Sequence, residues 1–420
     1  MNSFTFSVLF LVFLVSSVAL QFWLSSRQIR HILQHKSAVP EKFASKIPLE
    51  AHQKAADYSV AKSKFGLFML FIEVAILLCF TFFGGLQLIA STLFSLIGDG
   101  MIYQISLIAA FATISGIIDL PFAYYRQFSL EERFGFNKMK PALFFRDLVV
   151  STLIGAAIGL PLLWVILTLM AKAGDLWWLY TWIVWTVFQL LMMIIFPTWI
   201  APLFNKFTPL ADESLRDRIN GLMQRVGFAA SGLFVMDGSK RGAHGNAYFS
   251  GFGANKRIVF FDTLLERLQP AEMEAVLAHE LGHFKLNHIK KRMVLLFIFS
   301  LGFLALLGYL KQQVWFYTGL GVNPQLLLAS NDAMALLLFM LCLPVFTFIF
   351  SPLSALASRK HEFEADAFAA KYTKADDLVS ALVKLYEDNA STLTPDPLHS
   401  AFYDSHPPAA IRIAHLEKTS

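Results

Sequence analysis

The chain has 420 residues, 56% of them hydrophobic and only 15% charged, with a mean hydropathy of +0.55. Soluble domains carry roughly 25% charged residues, so this composition excludes that class and points to a polytopic membrane protein. The 35 Lys and Arg exceed the 30 Asp and Glu by five, an excess too small and too dispersed for a nucleic-acid footprint, so no nucleic-acid partner is expected. The two cysteines, Cys79 and Cys342, sit inside apolar runs, which excludes a disulfide framework and a thiolate metal site.

A spanning helix needs about 20 apolar residues, and seven runs qualify: Phe4–Leu24, Gly66–Ala90, Ile105–Tyr125, Leu148–Met170, Trp177–Trp199, Met293–Leu310 and Ala333–Leu356. The first lacks a preceding basic region and a small-x-small cleavage site, so it reads as a helix rather than a signal peptide. Cytoplasmic loops accumulate Lys and Arg. Alternate loops here hold 33 and 2 of them: 25–65, 126–147, 200–292 and the segment from 357 are basic, whereas 91–104, 171–176 and 311–332 hold almost none. The expected topology has the N-terminus outside and the C-terminus in the cytoplasm.

The predicted fold class is therefore an all-α polytopic membrane protein with seven transmembrane helices and a small cytoplasmic α+β region. Its expected divisions are 1–199 for spans one to five, 200–292 for a cytoplasmic region, 293–356 for spans six and seven, and 357–420 for a cytoplasmic tail. Within 200–292, Gly232–Met236, Asn246–Ser250 and Arg257–Phe261 read as short strands, and Pro270–Asn287 reads as a helix leading into span six.

That helix contains His279-Glu280-Leu281-Gly282-His283. Histidines at i and i+4 share a helix face and can both offer an imidazole nitrogen to one zinc, with the intervening glutamate placed to accept a proton from an attacking water. At this composition the pattern is expected by chance roughly 0.01 times per chain, so coincidence is set aside. A catalytic zinc usually takes three protein ligands. The segment after span seven, Ser358 to Phe368, places Glu362 and Asp366 on one helical face. Glu362 can complete the ligand set while Asp366 hydrogen-bonds a ligand histidine and sets its tautomer. The loop charges put both segments on one side of the membrane, so the two helices can meet.

These residues resemble the type 1 CAAX prenyl protease family of integral-membrane zinc metalloproteases. The resemblance extends through Tyr124–Lys138 (YYRQFSLEERFGFNK), Ile200–Leu210 (IAPLFNKFTPL), Gly238–Leu265, His279–Asn287 (HELGHFKLN), Arg359–Phe368 (RKHEFEADAF) and Ser405–Arg412 (SHPPAAIR), in the family's order. It implies Zn²⁺, one per chain, on His279, His283 and Glu362, with Glu280 as general base and Asp366 supporting the site. It also implies that Asn246, His406 and Arg412 surround the substrate and the tetrahedral intermediate. The implied fold is a ring of seven helices around a water-filled chamber with the zinc at its cytoplasmic end. The implied partners are a peptide or protein substrate, prenylated or otherwise membrane-associated, and the lipid bilayer. Because the chain is shorter than eukaryotic members of the family, a bacterial inner membrane is the expected location, with the endoplasmic reticulum as the eukaryotic alternative.

Other residues carry weaker signals. Glu73 and Asp119 are carboxylates within spans two and three, which are costly in lipid and so face a cavity or a partner; Glu73 is the better chamber-lining candidate. His288, at i+5 from His283, is expected to point to another helix face. His244 and His361 read as surface or supporting groups, and His399 and His415 as ordinary. The leading reading is a zinc endopeptidase in which His406 or Arg412 stabilises the oxyanion and an extended substrate pairs with the strand at Asn246–Ser250. The alternative is a seven-helix transporter or receptor without chemistry, which would concentrate ionisable groups within its spans. A protease of the site-2 type would bury its motif in an apolar span, whereas Glu272, Glu274, Lys285, Lys290, Lys291 and Arg292 surround this one.

Overall fold

The computed structural model describes residues 1–250, 256–324 and 330–419; parts of the Gly238–Leu265 resemblance and of the loop 311–332 lie outside them. Among the described residues, seven helical segments are long and apolar enough to cross a membrane. The first four spans are α1 (Ser3–His35), α2 (Leu49–Phe80), α4 (Met101–Tyr125) and α5 (Pro141–Lys172), with α3 (Gly85–Ile97) lying between the second and third. The fifth is α6 (Trp177–Ile195), continued through a π-helical turn at Phe196–Ile200 into α7 (Ala201–Phe204). A second π-helical turn, Arg126–Glu131, extends α4.

The run Gly66–Ala90 is not one span. Helix α2 starts 17 residues earlier than the apolar run and stops at Phe80. Gly84 then takes a left-handed backbone, φ +77°, and a Cβ at Gly85 would lie 2.6 Å from the Cys79 carbonyl oxygen, so glycine permits a turn that other residues would resist. The 13 residues of α3 are too few to cross a bilayer; the helix packs on α4 with Leu86 and Ala90 fully buried.

Polar segments build a four-stranded sheet of order β1-β2-β4-β3 from β1 (Phe207–Pro209), β2 (Gly232–Met236), β3 (Ala247–Ser250) and β4 (Arg257–Phe261). Strand β4 is parallel to β2, pairing Leu233 with Ile258 and Val235 with Phe260, and antiparallel to β3. Its buried run Ile258-Val259-Phe260 suits a strand covered on both faces. Strand β1 has three residues, too short for alternation to reveal in sequence. Asn246 lies just before β3 rather than within it, although its carbonyl accepts from Phe261 N–H at 2.9 Å.

Around the sheet lie α8 (Glu213–Val226), α9 (Asp262–Leu265) and α10 (Pro270–Lys285). Helix α8 is capped by the Asp212 carboxylate, which accepts from Leu215 N–H at 3.0 Å, and buries Leu215, Ile219, Leu222 and Val226 along one stripe. The sixth span is α11 (His288–Leu310), followed by the short α12 (Val314–Thr318).

The seventh span is likewise interrupted. Helix α13 (Asp332–Thr347) passes through a tight 3₁₀ turn at Phe348–Phe350 into α14 (Ser351–Tyr372). Pro344 within α13 and Pro352 in the first turn of α14 each lack a backbone donor, which loosens the helical ladder there. The segment bearing Glu362 thus continues the last span instead of starting a separate tail. The chain ends with α15 (Ala375–Asp388), α16 (Pro397–Tyr403) and α17 (Ala409–Thr419).

Two cores result. One joins the sheet, α8, α10, α14, α15 and α17, with Ile219, Phe260, Leu281, Leu378 and Leu416 fully or almost fully buried, and reaches Phe43 and Ile47 between α1 and α2. The other gathers the far ends of the spans around Phe10, Tyr103, Leu167, Phe316 and Leu338. Between them, six spans bury at most 17% of their most apolar window, far less than helices packed in a solid bundle would.

Candidate active site

Helix α10 starts with a capping box, in which Gln269 and Glu272 satisfy each other's backbone N–H groups, and with Pro270 in the first turn. Glu272 also accepts from Ser380 Oγ at 2.6 Å and from Lys384 Nζ at 2.7 Å, which ties the helix to α15. Helix α14 comes against α10 at Gly282: a Cβ there would lie 3.0 Å from Ala365 Cα and 3.1 Å from Phe368 Cβ. The glycine within the two-histidine motif is therefore what lets the two helices approach.

That approach gathers His279, His283 and Glu362, each of which offers one ligand atom within 4.8 Å of those of the other two. His279 Nε2 is 3.2 Å from His283 Nε2 and 3.4 Å from Glu362 Oε2, and His283 Nε2 is 3.3 Å from Glu362 Oε1. Ligands at ~2.0–2.1 Å from a tetrahedral ion stand roughly 3.3–3.4 Å apart, and these separations match it, with Glu362 turning a different oxygen to each histidine. Glu362 Oε2 is buried and accepts no hydrogen bond among the described residues, although it lies 3.4 Å from His279 Nε2 and 3.7 Å from Arg412 Nη1. A buried carboxylate oxygen without a hydrogen bond is costly and suits a site that takes a cation.

Behind the cluster, His279 Nδ1 is 2.8 Å from Asp366 Oδ1. Asp366 is completely buried and accepts from Arg412 Nε at 2.9 Å and Arg412 Nη2 at 2.6 Å in a two-pronged pair. Burial opposes the His279 imidazolium, but the carboxylates of Asp366 and Glu362 outweigh it and hold its pKa above the ordinary value. The Arg412 pKa is likewise raised, since Asp366 overcomes the effect of burial. His406 approaches from the opposite, open side, its side chain 63% exposed and its Nε2 3.4 Å from Glu362 Oε1. It also lines a cavity of about 430 Å³ shared with Tyr58, Lys62, Tyr386 and Tyr403.

Glu280 is half-buried on α10, and its side chain forms no hydrogen bond or ion pair with the described residues. Asn246 is exposed, and its side chain accepts from Ala247 N–H at 2.8 Å; none of its hydrogen bonds reaches the ligand cluster. It stands at the head of β3, one of the sheet's two edge strands, which packs against α10. Glu73 and Asp119 lie near enough to each other to interact electrostatically. His244 is elsewhere, stacked on Phe136 and bonded to Asn389.

His288 departs from the sequence expectation. Counting it at i+5 on one helix assumed that the helix is unbroken, but α10 ends at Lys285 and Asn287 adopts a left-handed backbone, φ +60°. Asn tolerates that conformation better than most residues. The turn carries His288 back to His283, Nδ1 to Nδ1 at 3.0 Å. The signal available in sequence was the polar Lys-Leu-Asn stretch between motif and span.

Seven spans, a sheet-bearing domain at their end and a two-histidine, one-glutamate cluster define a membrane-embedded metalloendopeptidase of the zinc-protease type. Residues 28–206 match the family described as CAAX prenyl protease N-terminal, five membrane helices, and residues 209–420 match Peptidase family M48. The chain belongs to the CAAX prenyl protease 1 family. It is 37% identical to the CAAX prenyl protease 1 homolog of Arabidopsis thaliana over 90% of each chain, and 34% identical to CAAX prenyl protease 1 of Saccharomyces cerevisiae over 97% of this chain and 94% of that one. It is also similar to the crystal structure of S. mikatae Ste24p, with a TM-score of 0.89 and 32% identity, covering 99% of this chain and 100% of that one. The expectation of a bacterial member is not borne out, since these relatives are eukaryotic and the chain matches them nearly end to end; its shortness does not set it apart. The transporter reading is not favoured either, because the match extends through the peptidase half. The protein acts on peptide or protein substrates at a membrane.

Proposed function

We propose that this protein binds one Zn²⁺ on His279, His283 and Glu362 and uses it to cleave prenylated or otherwise apolar, membrane-associated peptides, with its active site toward the cytoplasm. The observation that carries the metal reading is the buried Glu362 Oε2, which accepts no hydrogen bond among the described residues and lies 3.4 Å from His279 Nε2. When bound, Zn²⁺ would polarise the scissile carbonyl and acidify an attacking water. Glu280 takes the proton from that water and passes it to the leaving amine. Since the Arg412 guanidinium is engaged by Asp366, the oxyanion is assigned to His406 on the open side, and Arg412 and Asp366 orient His279. The substrate main chain adds itself alongside the edge strand at Asn246–Ser250.

The residues 200–292 and 357–420 act as one protease unit, a reading supported by the single core they share. The sparse burial of the spans supports a hollow interior through which apolar chains reach the site. The CAAX prenyl protease names of the relatives favour a prenylated peptide. Elemental analysis of the purified chain should find about one zinc, with most of it lost on replacing His279, His283 or Glu362 by Ala. A detergent assay should show cleavage of a prenylated CAAX peptide and slower cleavage of an apolar unprenylated one. Zinc retained in all three variants would overturn the ligand assignment, and failure to cleave either peptide would overturn the substrate class.

A further inference from the structure

We propose that His288 and Glu364 form a second orienting arm of the metal centre, holding His283 as Asp366 and Arg412 hold His279. The inference rests on the zinc reading above. His283 Nε2 faces the cluster, 3.2 Å from His279 Nε2 and 3.3 Å from Glu362 Oε1, so a lone pair is needed there and the ring hydrogen must sit on Nδ1. His283 Nδ1 then donates to His288 Nδ1 at 3.0 Å. His288 consequently carries its own hydrogen on Nε2, which donates to Glu364 Oε2 at 2.8 Å. One set of tautomers satisfies every contact. The result is a carboxylate–imidazole–imidazole line ending at the ligand nitrogen.

The surroundings keep this line in place. His288 is 1% exposed, and its ring is stacked on His361 with centroids 4.1 Å apart and planes 12° apart. Lys360 Nζ lies 3.9 Å from Glu364 Oε1. An acceptor on the far nitrogen of a ligand histidine fixes the ring and raises its basicity, and a buried ring with both nitrogens bonded is a better acceptor than water at this position. His288, His361 and Glu364 also bring ligand-type atoms within 4.8 Å of one another, which invites the competing idea of a second metal site. The stacking argues against it: parallel rings direct their in-plane lone pairs in parallel, not toward a common point, and both His288 nitrogens are already engaged.

The test uses the full chain in detergent, stripped of metal and titrated with Zn²⁺ against a chromophoric chelator, beside thermal unfolding of each variant. His288→Leu should weaken zinc binding 10 to 100-fold, the usual effect of losing such a partner, and His288→Gln, which keeps an acceptor and a donor, should recover part of it. Glu364→Ala should weaken binding about tenfold, whereas Glu364→Gln, which keeps a carbonyl acceptor, should stay near wild type; Glu364 is 36% exposed at its side chain, so this pair carries the test should His288→Leu unfold. His361→Phe keeps the stack and should keep the affinity. Unchanged affinity in His288→Leu and Glu364→Ala would overturn the proposal. Two zinc ions per wild-type chain, falling to one in His361→Phe, would replace it with a second metal site. A wild-type chain that binds no zinc would overturn the zinc reading itself, and this arm with it.

Discussion

Glu280 is the residue at which metal binding and chemistry should separate under the proposed mechanism. It follows His279 directly, yet it stands outside the group of atoms within 4.8 Å of one another and has no partner among the described residues. Glu280→Gln should therefore retain the zinc and lose the proton acceptor, lowering turnover by 10² to 10⁴-fold or more. Parallel elemental analysis and peptide cleavage would check it. Equal cleavage by the variant would show that the measured activity belongs to another protease. Asp366 and Arg412 contrast with it: both are buried and bonded to each other, so truncating either leaves an uncompensated charge and damages folding as well as the site.

At the scale of elements, two helices decide whether the ligands meet. Gly282→Ala would place a methyl group 3.0–3.3 Å from the Ala365 backbone and Phe368 Cβ, against main chain that cannot rotate away. The expected outcome is a separation of α10 and α14 by a few tenths of an ångström, a stability loss of about 1–3 kcal/mol from overpacking, and weaker zinc binding. Thermal unfolding together with zinc titration would detect both effects, and a variant indistinguishable from wild type would contradict the tight approach. The α10 N-terminus gives a pH-dependent prediction. Burial alone would raise the Glu272 pKa, but hydrogen bonds from Lys384, Ser380 and the Gln269 backbone outweigh it and hold it below the ordinary value. A carboxyl group lowered in the folded state stabilises the protein above its unfolded pKa, about 4.3, and that contribution disappears as pH falls through the folded value. The melting temperature of wild type should accordingly drop more between pH 5 and pH 3 than that of Glu272→Gln.

For the molecule as a whole, the open questions are orientation and access. The 33 to 2 division of Lys and Arg between alternate loops predicts that residues 91–104 and 311–332 face outside and that the protease unit faces the cytoplasm. With Cys79 and Cys342 removed, an impermeant thiol reagent added to intact cells should label a cysteine placed at Thr92 and leave one at Lys240 untouched. Labelling at Lys240 from outside would reverse the topology. The two large cores lie at opposite ends of spans that are lightly buried between them, so packing is concentrated at the ends.

Much of this was legible in the sequence because it depends on near neighbours. Apolar runs of bilayer length mark spans, helical periodicity pairs His279 with His283, and loop charge assigns the two polar segments to one side; the structure places both segments in one core. Glu362 and Asp366 stood out through their shared face and through the family resemblance. What neighbours do not determine was decided in three dimensions. Gly84 and Gly85 split the second apolar run, Pro344 and Pro352 interrupt the seventh span without detaching the helix that follows, and β1 is too short to announce itself. Arg412 meets Asp366, and His288 returns to His283, because contacts between distant segments and one left-handed residue at Asn287 place them there. Local propensity reads a few residues at a time, whereas the hydrogen bonds that orient a ligand are made across the gap between helices, where only packing sets the distance.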